Sequence, residues 1–347
     1  MQRSKRLNPG LKHCALISVL LGGLAGCSGV DAEDLGAEMA YVDRADVAEY
    51  VEELVKDQGL AREFVREAVH AAKFRQDIID KISRPAEKVW TWGRYRSHLV
   101  DDDRIEQGVA FWRAHDATLQ RAAQAYGVAP EYVVAILGIE TRYGRITGGY
   151  PVLDALFTLG FDYPPRSKFF RKELTEFLHL ATEEGKDPST IKGSYAGAMG
   201  YGQFISSSYR HYAVDFDDDG VRDIWANPVD AIGSIANYFV QHKWRGDEQV
   251  AMRVDVTTQA ARDLLQTDLK LTRTVAEFAQ AGIRLDDAGV PSDAKAGLFE
   301  LTTQDGVEHW LVFHDFYVIT RYNHSRLYAM AVYQLAQAIK ARMAAAA

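Results

Sequence analysis

Three stretches of the chain carry residue types and spacings that can do chemistry. The first is Tyr132-Val133-Val134-Ala135-Ile136-Leu137-Gly138-Ile139-Glu140-Thr141-Arg142-Tyr143. On a helix, positions 133, 136, 137 and 140 share a face, and only the last of them is not aliphatic. A carboxylate on an inward stripe is costly to bury charged, and desolvation raises its pKa toward the range a general acid needs near neutral pH. The same pattern suits a structural Glu paired with a cation such as Arg142. The second stretch is Lys192–Phe204, dense in glycine. Gly193, Gly197, Gly200 and Gly202 let backbone approach a ligand closely. Tyr195, Tyr201 and Phe204 offer flat apolar surfaces of the kind that stack on sugar rings, and Ser194 and Gln203 can hydrogen-bond hydroxyl or acetamido groups. A tight helix crossing lined by small residues would have the same composition. The third stretch, Asp215–Asp223, matches the first half of a calcium loop. Asp215, Asp217 and Asp219 stand at positions 1, 3 and 5, Gly220 at 6, and the Val221 carbonyl at 7. The second half departs, since position 12 is Ala226, and the plain alternative is a solvated acidic turn. The ten histidines form no His-x-x-x-His or similar pair, which speaks against metal-dependent hydrolysis.

These residues need elements to hold them. Pro130 suits the first turn of a helix through Glu140, and Gly144 suits its end. Helical spacing recurs from Asp46 to Ile82, in Val47, Val51, Leu54 and Val55 and again in Phe64, Val65, Ala68 and Val69, before Pro85 punctuates. Composition shifts after about Trp244: Gln249–Val256 alternates, Phe299–Thr303 and Glu308–His314 read as strands, and Asp305-Gly306 marks a hairpin. Asp286 to Ala296 reads as loop. From Ser325 to Met343 a helix carries Leu327, Ala331, Leu335 and Ile339 on one stripe. No repeat or low-complexity tract is evident. The expected fold class is mainly α (α+β).

The N-terminus reads as a targeting segment. Arg3, Lys5, Arg6 and Lys12 precede an apolar run from Cys14 to Leu24, too short for a membrane span, that ends at Leu24-Ala25-Gly26-Cys27. A Cys after Leu-Ala-Gly resembles the bacterial lipoprotein processing site, which would leave a lipidated Cys27. With Ser28 and not Asp behind it, the expected location is the periplasmic face of the outer membrane. Removing residues 1–26 takes the formal net charge from −8 to −12, so nucleic acid is not an expected partner. Cys14 leaves with the signal and Cys27 would carry lipid, so no disulfide is expected and stability must come from the core.

Taken together, Ala135–Leu159, Phe161–Phe170, Lys192–Phe204, Tyr209–Phe239 and Arg321–Tyr333 resemble the B-type membrane-bound lytic murein transglycosylases, relatives of goose-type lysozyme. The resemblance runs from about Asp46 to Ala338. It implies a lysozyme-like helical core with an N-terminal helical region and a small β insert. The divisions expected are a signal peptide over 1–26, a lipid-anchored linker over 27–45 and an N-terminal helical region over 46–88. A catalytic core with the calcium loop follows over 89–243, then a β-rich insert over 244–316 and a part completing the core over 317–347. The family's catalytic Glu falls on Glu140, its glycan-contacting Ser and Gln on Ser194 and Gln203, a Tyr-Asn pair on Tyr322-Asn323 and a further tyrosine on Tyr328. Tyr95, in Trp92-Gly93-Arg94-Tyr95, and Tyr238 look like groove residues, alongside Tyr195 and Tyr201. In Tyr163-Pro164-Pro165-Arg166 the family often has two arginines after one proline. Here Pro165 replaces the first, so Arg166 is the one cation left toward the peptide stem or the lactyl carboxylate. Phe169 stands where a tyrosine is common. A later Asp closes the family's calcium site, and Asp230 matches it, although Ala226-Asn227 lengthens that connection by one residue.

Most glycosidases use two carboxylates, and the matching motifs hold no second acid. The resemblance implies one Glu acting first as acid and then as base, forming a 1,6-anhydro sugar from peptidoglycan with a structural calcium ion and no cofactor for the chemistry. A monomer is expected. Two rivals stay open at this point: a muramidase that uses water on the same bond, and a non-catalytic peptidoglycan-binding lipoprotein.

Overall fold

The computed structural model describes residues 40–83, 90–246, 249–285 and 289–345. The signal segment and Cys27 lie outside them. A 3₁₀ turn, Tyr41–Asp43, leads into α1 (Ala45–Lys56), α2 (Arg62–Ala71) and α3 (Gln76–Ile82). Each buries an apolar stripe at helical spacing: Val47, Tyr50 and Leu54, then Val65, Ala68 and Val69, then Ile78 and Ile82. The linker expected to reach residue 45 ends earlier. The Tyr41 ring is buried against Phe157, its hydroxyl donates to Asp162 at 2.7 Å, and Arg44 pairs with the same carboxylate at 2.5 Å. An aromatic with a satisfied hydroxyl is worth burying, so the chain is docked from Tyr41 onward.

The helical body follows: α4 (Trp92–Leu99), α5 (Asp102–Ala114), α6 (Asp116–Tyr126), α7 (Pro130–Thr141), α8 (Val152–Phe161), α9 (Ser167–Glu183), α10 (Ser206–Tyr212) and α11 (Pro228–Gln241). α7 lies at the centre, packed by α5, α6, α11 and the C-terminal helix. It is buried from Glu131 to Thr141. The aliphatic stripe read from the sequence is thus part of a helix enclosed on all sides, and the face it chose decides less than expected. Full burial of a Val, Ile or Leu side chain contributes about 1.5–3 kcal/mol, so Val133, Val134, Ile136 and Leu137 fix this helix firmly. Asp154 of α8 joins the N-terminal helices to the body by accepting from Lys73 N (2.9 Å) and Arg75 Nε (3.0 Å).

Two strands flank the body's open side. β1 (Tyr150–Pro151) pairs antiparallel with β2 (Lys192–Gly193), Tyr150 opposite Gly193. The β insert is a four-stranded antiparallel sheet of order β3-β6-β5-β4. It is built from β3 (Ala251–Val254), β4 (Arg273–Thr274), β5 (Lys295–Thr302) and β6 (Val307–Val312), with α12 (Gln259–Arg262) and α13 (Val275–Gln280) between strands. Val254, Phe278, Leu298, Leu311 and Phe313 give it a core of its own. Two details differ from expectation. β5 begins at Lys295, inside the stretch read as loop, and α14 (His314–Tyr322) begins before the boundary placed at 316. α15 (Arg326–Ala345) then packs on α7, α5 and α4. No single helix among the described residues is long and apolar enough to cross a membrane.

Candidate active site

Glu140 is the penultimate residue of α7 and is 7% exposed. The Tyr328 hydroxyl, from α15, donates to its Oε1 at 2.5 Å. Tyr328 stacks on Tyr322 with ring centroids 6.5 Å apart and an interplanar angle of 8°. Burial first, and the negative charge of Glu140 next, hold both phenols well above the ordinary tyrosine range, so both remain donors. Tyr322 donates to the Gly202 carbonyl at 2.5 Å, and Tyr238 of α11 donates to the Arg321 carbonyl at 2.5 Å. Helix α7, the glycine-rich segment, α11, α14 and α15 are tied together by this buried set.

Tyr95 and Tyr238, expected in the groove, and Tyr322 and Tyr328, placed at the site by resemblance, are each at most 1% exposed. Tyr95 meets Trp90 at an edge, Tyr238 stacks on His242 and tilts against Tyr322, and Tyr322 stacks on Tyr328. They form the floor beneath the site. Tyr195 and Tyr201, partly exposed, are the aromatics of this segment that a ligand can reach.

The glycine-rich segment folds into tight turns. Ser194 N donates to the Ala198 carbonyl at 2.8 Å, and Met199 and Phe204 exchange backbone hydrogen bonds of 2.9 Å. Ser194 Oγ accepts from Ala198 N at 3.0 Å and from Ala196 N at 3.3 Å. Gln203 sits at φ 49°, and its Nε2 donates to the carbonyls of Thr147 and Gly200, each at 3.0 Å. Asn323 is 5% exposed where α14 ends. Arg166 lies over the Phe169 ring, 4.2 Å from its centroid, so Phe169 carries the cation by stacking where a tyrosine hydroxyl is common.

The end of α7 departs from the sequence reading. The helix stops at Thr141, and Arg142 (φ 48°), Tyr143 (φ 61°) and Gly144 (φ 84°) are all left-handed. For the two that are not glycine this costs roughly 1–2 kcal/mol each. Local contacts hold them there. Tyr143 OH donates to the Arg104 carbonyl at 2.8 Å, and Gly144 N donates to Thr141 Oγ1 at 2.9 Å. A Cβ on Gly144 would stand 2.0 Å from the Tyr201 ring. Arg142, the cation expected of a purely structural Glu140, pairs instead with Asp101 at 3.7 Å. Sequence reasoning also passed over two buried polar groups. Thr141 links α7 to the glycine-rich segment through its hydroxyl, which donates to the Tyr201 carbonyl at 2.9 Å. Glu173 of α9 accepts from Ser207 N and Ser207 Oγ, each at 2.9 Å, at the start of α10. A charged residue on an apolar helical stripe was the available signal for Glu173; Thr141 offered none.

In the acidic loop, carboxylate oxygens of Asp215, Asp217 and Asp230 lie within 4.8 Å of one another. Asp230, fully buried in the first turn of α11, accepts from Phe216 N at 2.7 Å and Asp223 N at 2.8 Å. Burial pushes its carboxyl above the ordinary range, those two N–H groups oppose the shift, and the charges of Asp217 and Asp215 add to it. Three carboxylates converging on one point suit a hard, oxygen-ligated cation such as calcium. Asp219 is not in this group: its Oδ1 accepts from Val221 N at 2.8 Å. Asn227 donates to Asp217 at 2.9 Å and caps α11 by accepting from Val229 N.

Residues 43–337 match the family described as Transglycosylase SLT domain. The chain is 39% identical over 308 residues to the membrane-bound lytic murein transglycosylase B of Escherichia coli K12, which covers 86% of this chain and 84% of the relative. Among solved structures it is similar to the catenated lytic transglycosylase SltB1 of Pseudomonas aeruginosa, with TM-score 0.83 and 47% identity over 87% of this chain and 99% of that one. It is also similar to the Escherichia coli lytic transglycosylase Slt35 in complex with calcium, with TM-score 0.78 and 40% identity over 87% of this chain and 95% of that one.

Proposed function

The chain belongs to the Transglycosylase SLT domain family and is a lytic transglycosylase of peptidoglycan; from that premise we propose that Glu140 is its single catalytic acid and base. Protonated Glu140 gives its proton to the glycosidic oxygen between N-acetylmuramic acid and N-acetylglucosamine as the C1–O bond breaks. The muramoyl acetamido oxygen shares its electrons with C1, one of the known exceptions to the two-carboxylate scheme. Glu140, now a carboxylate, takes the proton of the 6-hydroxyl of the same sugar. That oxygen bonds to C1 and releases the acetamido group. The acid is regenerated, the product is a 1,6-anhydro sugar, and no water is consumed.

The observation that carries this reading is the hydrogen bond from Tyr328 to a Glu140 that is buried but for an edge, beside a glycine-rich segment with two reachable tyrosines. Ser194, Gln203 and Asn323 contact acetamido and hydroxyl groups, Tyr195 and Tyr201 take sugar faces, and Arg166 takes a carboxylate of the stem or lactyl group. Tyr95, Tyr238, Tyr322 and Tyr328 act from below by holding Glu140 and the segment. Positioning of this kind contributes several kcal/mol to catalysis. Digestion of sacculi by wild type and Glu140→Gln, read by mass spectrometry, tests the assignment. Wild type is expected to release products one water lighter than hydrolysis gives, and the variant none. Hydrated ends would establish a muramidase, and an active variant would remove Glu140 from the role.

Asp215, Asp217, the Val221 carbonyl and Asp230 are proposed to hold a structural calcium ion, without the Asp219 that the loop spacing suggested, and the calcium complex of a relative supports the choice of metal. A membrane-bound relative supports a place in the bacterial envelope. Anchoring through a lipidated Cys27 at the outer membrane, by a monomer, is the finer proposal. Metabolic labelling with palmitate tests it: label on wild type and none on Cys27→Ala is expected.

A further inference from the structure

We propose that Thr141 is a positioning residue for the reaction, its hydroxyl setting the distance between Glu140 and the glycine-rich segment. Thr141 is the last residue of α7 and is 1% exposed. Its hydroxyl oxygen lies 2.9 Å from the Tyr201 carbonyl and 3.3 Å from the Leu137 carbonyl. With one proton to give, it donates to the nearer acceptor. The same oxygen accepts from Gly144 N at 2.9 Å. One atom therefore joins the residue after Glu140, the left-handed turn that ends its helix, and the segment that carries Tyr201 and Gln203.

The surrounding contacts make that atom a stop on relative motion. Gln203 Nε2 donates across to the Thr147 carbonyl at 3.0 Å, and Gly144 faces the Tyr201 ring with no room for a Cβ. Tyr201 N is fixed in turn by the Ile224 carbonyl at 2.9 Å. Two walls of the groove thus meet at the Thr141 hydroxyl, and a main-chain shift at either wall moves the carboxylate relative to the bound sugar. Misplacement on the order of 1 Å can cost about 100-fold in rate. A hydroxyl that only stabilised the fold would not change turnover once the protein was folded.

The test rests on Glu140 being the acid and base, so Glu140→Gln is assayed beside it. Thr141→Val keeps the shape and removes the hydrogen bonds. Thr141→Ser keeps the hydroxyl, and Thr141→Cys has the outline of Ser with a much weaker donor. kcat and KM are measured on soluble glycan strands, with the melting temperature of each variant. Expected are a kcat loss of about 10- to 100-fold for Val and Cys, a KM within about threefold of wild type, and Ser within about threefold in both. Should Val fail to fold, the Ser and Cys pair decides. Cys as active as Ser, or Val with wild-type kcat and only a lower melting temperature, overturns the proposal while an inactive Glu140→Gln leaves the catalytic reading standing. An active Glu140→Gln overturns both.

Discussion

The Tyr328 hydroxyl donates a 2.5 Å hydrogen bond to Oε1 of Glu140 across 188 residues of sequence. Hydrogen bonding to a carboxylate favours its charged form, and such bonds to charged groups are worth about 1.5–3 kcal/mol. Tyr328→Phe keeps the ring stack on Tyr322 and removes the donor. That change removes a donor to the charged form of Glu140, so the alkaline fall-off of kcat/KM is expected to move to higher pH. A pH–rate profile decides the matter. A variant that loses rate without any displacement of that limb would show that the hydroxyl serves packing alone.

Asp217 is exposed and Asp230 fully buried in the same carboxylate cluster, which separates ion binding from folding. Calcium at about 100 times its dissociation constant stabilises the folded state by roughly 2.7 kcal/mol, or about 4 °C for a chain of this size. A chelator should remove that gain. Asp217→Asn eases the repulsion among the three carboxylates, so its chelated form is expected to melt at or above wild type while its response to calcium is lost. Scanning calorimetry with and without the ion reads both. Equal calcium responses in the two proteins would take Asp217 out of the site.

The left-handed turn at Gly144 yields a comparison with Gly127. Both have positive φ, 84° and 67°, yet a Cβ on Gly127 meets nothing within 4 Å, whereas one on Gly144 strikes the Tyr201 ring at 2.0 Å. Gly127→Ala should cost about 1–2 kcal/mol from backbone strain alone. Gly144→Ala should cost more and lose most activity, because the displaced ring belongs to the substrate segment. Denaturant melts and turnover of the two variants check this, and equal losses would sink it.

Those residues also show what a sequence can reveal. Pro130 announced the start of α7, and the aliphatic run after it placed Glu140 in the core, since apolar content decides burial. Gly144 announced a left-handed turn but not that Arg142 and Tyr143 share it. The contacts that hold them come from Arg104 and from within the turn, and nothing local encodes such a pairing. The tyrosines were the hardest to read. A phenol beside a sugar and a phenol buried on a backbone carbonyl look alike in one dimension. Tyr238 and Tyr322 are buried, with their hydroxyls donating to the Arg321 and Gly202 carbonyls. In the acidic loop the spacing supplied Asp215 and Asp217, while Asp219 Oδ1 accepts from Val221 N. The closing Asp230 came from resemblance, since it stands beyond the span that the loop spacing covers.

Glu173 gives a pH dependence whose sign follows from its surroundings. It is 2% exposed, and burial pushes its carboxyl above the ordinary range even though Ser207 N and Oγ both donate to it. The folded state therefore holds this proton more tightly than the unfolded chain does. Its contribution to stability is complete below the unfolded value and is lost as pH rises through the raised folded one. Glu173→Gln has no proton to lose, while its amide can still accept from Ser207 N and donate to Ser207 Oγ. The melting temperature of Gln relative to wild type is thus expected to rise from pH 4 to pH 7. A gap that stays constant, or that narrows as pH rises, would mean that the Ser207 hydrogen bonds outweigh burial and keep this carboxylate charged in the fold.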